Sequence, residues 1–301
     1  MIRLLRAELR RFVSRDVVRL FAVAVLIAIA IGSTIAAVNS KIKAPDEAAY
    51  RAELQRCLDG TYVPEDKLPR RYSSMEEFCA EQVRPEYFGG GDQRFRLSGL
   101  PDILQGAGIL VVIGGLLLGA SFAGAEWHAG TMTTLLTWEP RRVRVLAAKA
   151  IVTVAAVFVL MVVLLAAFAG ALTLVASTRG ITDHLGDHFV RSVAGTTMRV
   201  AACSSAGALI GLAIAMLARS TAAAVGIGFA YLAVIEGLIR GLRPGWQHYL
   251  LADNIAIVVT GADGGIMREP VTFAYAAMTV AIWATALTVA AALACRVRDV
   301  N

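Results

Sequence analysis

Five long apolar blocks, separated by polar stretches, set the pattern of this chain. Leu20–Ser40 carries no charge over 21 residues, Ile103–Ala125 none over 23 and Ala150–Thr178 none over 29. Val200–Ala218 carries none over 19 and Pro270–Cys295 none over 26. A helix rises about 1.5 Å per residue and the hydrocarbon layer of a bilayer is about 30 Å thick, so roughly 20 apolar residues cross it. A weaker sixth block, Thr221–Ile235, is uncharged for 15 residues and reaches 19 when extended through Glu236 to Ile239. The pattern predicts an all-α, polytopic membrane protein with six transmembrane helices, at about 18–38, 103–125, 147–176, 200–218, 221–239 and 272–295. The first block lacks a convincing small-residue cleavage site and is followed by too many spans to be a signal peptide.

The stretches between the blocks carry their own periodicity. In Met1–Arg19, Ile2, Leu5, Leu9 and Phe12 recur at spacings of three and four, with Val13 beside them and arginines between. This predicts an amphipathic interfacial helix over 1–19. The loop 39–102 holds five prolines and the run Gly89–Gly90–Gly91. Within it, Asp46–Leu58 and Ser74–Gln82 read as short helices, the second opened by Ser74 and Glu77 as a capping box. Near the C-terminal end, 246–262 is too short and too polar to span and predicts a re-entrant or interfacial element, with Trp246 and Tyr249 at headgroup level. Small residues recur in the spans, including Gly114, Gly115 and Gly119 in the second and a GxxxG unit, Gly207 and Gly211, in the fourth. Such residues let membrane helices approach closely.

Composition agrees with the pattern. The chain has 301 residues, 57% of them hydrophobic and 17% charged, with a mean hydropathy of +0.64. Typical soluble domains are about 25% charged. The formal net charge of +6 is concentrated in arginines near span ends. Arg3, Arg6, Arg10, Arg11, Arg15 and Arg19 precede the first span, opposed by Glu8 and Asp16, which places the N-terminus in the cytoplasm. Alternation then puts 39–102 outside, 126–146 inside and both termini in the cytoplasm. The net charge is accounted for by anionic lipid headgroups and implies no nucleic acid. High Ala and Arg with few Lys fit a bacterial cytoplasmic (inner) membrane.

Candidate chemistry is sparse. Cys57 and Cys79 lie in the outer loop, one in each short helix, and are candidates for a disulfide on the oxidising side; two free thiols are the alternative. Cys203 and Cys295 read as apolar fillers and no zinc spacing joins the cysteines; His184 and His188, four apart, with Asp183 and Asp187 read as a solvated polar turn, with a metal site as the alternative. Of the acids, Glu236 comes closest to mid-membrane. Arg240, one turn later, makes a structural pair near the outer interface the simpler reading, with a substrate or proton role as the alternative. The sequence has no G-x-x-x-x-G-K-[ST] phosphate loop, no H-E-x-x-H and no G-x-S-x-G. Any ATP chemistry would have to come from another polypeptide.

The polar island Glu126–Lys149, EWHAGTMTTLLTWEPRRVRVLAAK, interrupts two spans at the inner face. With its flanks, Gly119–Ala150, it resembles the membrane subunits of bacterial ABC exporters of the type-2 permease family. There the second span ends in an acid, followed by a Gly-Thr turn, a short helix, a Pro with Arg, and a Lys opening the third span. The matching residues are Glu126, Gly130, Thr131, Leu135, Leu136, Pro140, Arg141, Arg142 and Lys149. The specific motif covers about 30 residues, whereas the topology matches throughout.

The resemblance implies a permease without catalytic residues of its own. The segment 126–146, with a short coupling helix at Ala129–Thr137, would dock on a cytoplasmic ATPase that binds ATP and Mg. Thr131, Met132, Leu135 and Leu136 would offer side chains to that partner, and Glu126 would pair with an arginine of the N-terminal helix or of 141–144. Two ATPase copies and a second permease, identical or related, would complete an assembly that exports a drug, peptide, lipid or glycan. The rival readings are a non-transporting assembly or signalling protein whose outer loop binds a partner, and an ion-driven transporter. The latter would favour several buried ionisable groups.

Overall fold

The computed structural model describes residues 1–43, 46–63, 68–69, 71–89, 91–132, 141–182, 186–261 and 271–297. It divides into two compact units: Met1–Ala30 with Ser98–Ala171 and His184–Asn301, and Ile31–Leu97 with Leu172–Asp183. Among the described residues, six helical stretches are long and apolar enough to cross a membrane: Asp16–Asn39, Leu97–His128, Arg142–Arg179, His188–Ala218, Thr221–Leu242 and Phe273–Val297. The protein is an all-α, multi-pass membrane protein.

Helix α1, Ile2–Val13, precedes α2, Asp16–Asn39. The predicted interfacial helix therefore ends earlier than Arg19, at a break over Ser14–Arg15. Ser14 caps α1, its N–H donating to the Arg10 carbonyl. The first unit continues with α5, Leu100–His128, with α6, Arg142–Arg179, as far as Ala171, and with α7, Asp187–Ala218. Helix α8, Thr221–Ala230, passes through a π-helical turn, Tyr231–Ile235, into α9, Glu236–Leu242. A 3-10 turn over Pro244–Tyr249 leads to the short α10, Leu251–Thr260, and α11, Phe273–Val297, closes the chain. The third and fourth spans extend beyond the uncharged blocks because charged residues continue the helix at their ends.

Helix α7 is the centre of this unit: 72% of its apolar window is buried, against none of that of α2. It meets α5 backbone to backbone. A Cβ on Gly115 would collide with the Ser204 carbonyl, one on Gly119 with that of Ala208, and one on Gly211 with that of Leu116. The small residues read from the sequence thus face each other within one chain. Between α7 and α8 the turn is two residues long, with Arg219 in the left-handed region at φ 53° and Ser220 capping α8 through its hydroxyl. Helix α10 packs against α5, α7 and α11. Its Leu251, Asn254, Ile255, Ile257, Val258 and Val259 are buried, so the element expected to be re-entrant or interfacial packs against the helices of this unit.

The second unit contains α3, Glu47–Leu58, and α4, Met75–Gln82. Asp46 caps α3, accepting from the Ala48 and Ala49 N–H groups. Ser74 caps α4 by accepting from Glu77 N–H. The return bond of the expected box is shifted by one residue. The Glu77 carboxylate accepts from the N–H and hydroxyl of Ser73, which hold its carboxyl below the usual range. Cys57 and Cys79 form a disulfide, their Cα atoms 5.8 Å apart, and both are fully buried beside Tyr72, Phe78 and Val83. The expected cross-link between two short helices is present. A two-residue antiparallel pair, β1 Ile42–Lys43 with β2 Gly91–Asp92, was not anticipated from the sequence. Ser40 ties the ends of this unit, its hydroxyl donating to the Arg179 carbonyl at 2.7 Å and accepting from Phe95 N–H at 3.0 Å.

Candidate functional site

The site is built where α1, the C-terminal end of α5 and the first turns of α6 converge. Helix α1 turns Glu8 and Phe12 inward, one turn apart; they are 0% and 1% exposed, while Ile2, Leu9 and Val13 remain exposed. Glu126 ends the apolar stretch of α5, and Lys149 lies two turns into α6 with no exposed surface. The Lys149 ammonium donates to Glu8 at 2.7 Å and contacts Glu126 at 2.7 Å. Glu8 also accepts from Arg11 at 2.8 Å. Arg15, in the break between α1 and α2, donates to Glu126 at 3.1 Å and to the Ser121 carbonyl at 2.9 Å.

Charges therefore alternate through Arg11, Glu8, Lys149, Glu126 and Arg15, and each buried charge has an opposite neighbour on both sides. Burying one unpaired charge is prohibitive; burying an alternating run offsets much of the desolvation. The Phe122 ring supports both cations, with Lys149 Nζ 4.5 Å and the Arg15 guanidinium carbon 5.1 Å from its centre. Phe12 packs edge-on against Phe122, at 5.2 Å between ring centres. The arrangement binds three helices, far apart in sequence, at the base of the 126–149 island.

The island itself is only partly within the described residues. Helix α5 ends at His128, and Ala129–Gly130 form a turn with Gly130 at φ 66°. Helix resumes at Thr131, so the expected coupling helix does not begin at Ala129; Gly130 needs a left-handed backbone there. The Thr131 hydroxyl donates to the Glu126 carbonyl at 3.3 Å. Met132, expected to face a partner, is 3% exposed and packs into the chain's own core, where an apolar side chain is shielded within the fold. Leu135, Leu136 and Pro140 lie outside the described residues. Arg141 begins the capping turn of α6, its carbonyl accepting from Arg144 and Val145 N–H. Arg142 donates to the Cys295 carbonyl at 3.3 Å.

A second charged cluster surrounds Glu236, whose side chain is fully buried. Its pair with Arg240, expected from their spacing, forms at 3.2 Å. Arg240 also binds Asp253, at 2.9 Å. Glu236 does more than pair: its carboxylate accepts from the Leu251 and Ala252 N–H groups and so caps α10. At the other end of α10 the Arg199 guanidinium donates to the Val259 carbonyl at 3.4 Å. An acid at the N-terminus and a base at the C-terminus both complement the helix dipole.

The sequence offers Glu126 an arginine of the N-terminal helix or of 141–144; Arg15 takes that place, and Glu8 and Lys149, which are not expected there, join it. The signal was present: Glu8 sits on the same helix face as Leu5 and Phe12, an acid inside an apolar stripe. Among the described residues no group of three or more His, Cys, Asp or Glu is arranged to hold a metal.

A family model, described as a protein of unknown function (DUF2705), matches residues 87–301. The chain belongs to the DUF2705 family. No curated protein and no solved structure matches it. The DUF2705 match includes Glu126, Lys149 and the whole Glu236 cluster. It begins after Glu8, Arg11 and Arg15, so the ion chain reaches outside the matched stretch.

Proposed function

We propose that this DUF2705 protein is the membrane-spanning permease subunit of an ATP-driven exporter of the type-2 ABC permease kind. The observation that carries this reading is the buried ion chain at the base of the 126–149 island. A docking segment can transmit force only if its ends are fixed to the helices it must move. Glu126 and Lys149, which bound the island, are fixed to each other and to α1. In this reading ATP and Mg belong to a separate cytoplasmic subunit, since the sequence has no phosphate loop, and two copies of it would serve two permeases. In this reading both termini and the island face the cytoplasm of a bacterial inner membrane, and the disulfide-linked unit faces outward.

The reading expects a phosphate-loop ATPase to be encoded beside the gene, and the test co-expresses that ATPase with the full chain. The reading expects a stable complex that Leu135→Glu with Leu136→Glu disrupts while the permease stays folded. It also expects a cysteine placed at His128 to be labelled only from the cytoplasmic side. Failure of the two proteins to associate, or labelling of that cysteine from outside, overturns it. The compact, disulfide-linked unit keeps one rival open: a membrane assembly protein that binds a partner outside. That rival gains if deleting 46–89 abolishes the cellular role while ATPase association persists.

A further inference from the structure

Helices α5, α7, α8 and α11 leave between them an apolar cavity of about 380 Å3, and we infer that it holds a single alkyl chain of a membrane lipid. Leu116, Ile214, Ile227, Gly228, Tyr231 and Trp283 line it. Binding cavities for small ligands run from roughly 300 to 1,000 Å3, so this one is too small for a whole lipid and large enough for part of one.

The chemistry of the wall selects the occupant. The surface that the cavity presents is almost wholly apolar. Trp283 Nε1 donates to the Tyr249 carbonyl at 3.1 Å. Little polar surface is left to hold water, and a void lined by apolar groups stays dry or takes an apolar ligand. Left empty, it would forfeit the dispersion contacts of its lining. Two local features make the space. Gly228 presents no side chain; a Cβ there would crowd the Leu116 side chain at 3.3 Å, so a larger residue would narrow the space. The π-helical turn beginning at Tyr231 widens the helix beside it.

The mouth points to the source. Ile227 lines the cavity yet is 51% exposed, and Phe229 beside it is 72% exposed. Both lie inside a helix of membrane-spanning length, where the surrounding solvent is lipid hydrocarbon. The cavity therefore opens toward acyl chains rather than water. The site needs no ATPase, so its fate and that of the exporter reading are decided separately.

The test uses the full chain in phosphatidylcholine nanodiscs doped with phosphatidylcholine bearing a diazirine on one acyl chain. After irradiation, adducts are mapped by peptide mass spectrometry. The inference expects adducts at Ile214 and Trp283 as well as at exposed Phe229. Gly228→Leu, which fills the space, should abolish the first two and retain the third. If that variant does not fold, Ile214→Trp, read at Trp283, serves the same purpose. Adducts confined to Phe229, or cavity adducts unchanged by either filling variant, overturn the inference. So does an Ile227→Cys cross-link between two copies with no adduct at Ile214, which would mean that a second chain fills the space.

Discussion

The ion chain around Lys149 and the cluster around Glu236 both bury carboxylates in a membrane protein, but they solve different problems. At Lys149 the partners are far apart: the Glu8 bond spans 141 positions of sequence and joins α1 to α6. At Glu236 the first partner is Arg240, four residues on, and the carboxylate otherwise serves the backbone of α10. The first cluster fastens helix to helix mainly through side-chain ion pairs, with one bond from Arg15 to the Ser121 carbonyl. The second ends a helix and holds the connection into it. Long-range cross-links must be complete to be tolerated, whereas a cap loses function in steps.

Lys149→Met breaks the first cluster most severely. It leaves Glu8 and Glu126 buried without their shared cation, and stranding a buried charge costs about 3–5 kcal/mol. Fluorescence-detected thermal unfolding of the purified chain should fall accordingly, and adding Glu8→Gln should recover part of the loss. No recovery would mean that the ammonium is not the centre of the cluster. Glu236→Gln is the matching change in the second. The amide keeps an acceptor for the α10 N–H groups but loses the charge, and hydrogen bonds to charged groups are worth about 1.5–3 kcal/mol. Hydrogen exchange should accelerate across Leu251–Thr260 and leave α5 and α7 protected. Exchange spreading into α7 would show that the cap supports the whole bundle.

Arg11→Ala tests the edge of the ion chain. Its side chain is 47% exposed, and Glu8 keeps Lys149. With one partner half exposed and Glu8 still holding Lys149, the pair should be worth little more than an exposed one, about 0.2–1 kcal/mol, so the shift should be smaller than that of Lys149→Met. Equal losses would refute the gradient from buried centre to exposed end.

The difference between the clusters also decides what the sequence could reveal. Glu236–Arg240 was legible because a helix fixes the geometry of residues four apart. The apolar blocks foretold six spans because length and composition alone qualify a span. Gly207 and Gly211 announced a close approach, though not that α5 would be the neighbour; a GxxxG unit does not name its partner. The caps at Asp46 and Ser74 were local and readable. Glu8 and Lys149 were not paired because nothing in the spacing of residues so far apart says that α1 packs against α6. Glu8 was read as an offset to six arginines, although its place on the Leu5–Phe12 face distinguished it. The β1–β2 pair is two residues long on each side, too short for alternation to register.

The smallest expected effect comes from a pair that is neither buried nor part of either cluster. In the disulfide-linked unit, Arg94 donates to both oxygens of Asp92, at 2.8 and 2.7 Å, and holds its carboxyl down at about 2, against an ordinary 3.8. A carboxylate whose pKa is lower folded than unfolded stabilises the fold above its unfolded value, and the contribution disappears as pH falls through the folded one. Asp92 should therefore help fully above about pH 4 and not at all below about pH 2. Water and salt screen an exposed pair, so the contribution is small and shrinks as salt rises. Denaturant unfolding of the wild-type chain and of Asp92→Asn, compared from pH 5 to pH 2 at low and high salt, isolates it. The two should differ at pH 5 in low salt and converge in acid. A difference that persists at pH 2, or is indifferent to salt, would mean that Asp92 acts through the β1–β2 backbone rather than through its charge. The contrast with the shielded carboxylates of the bundle would then rest on packing alone.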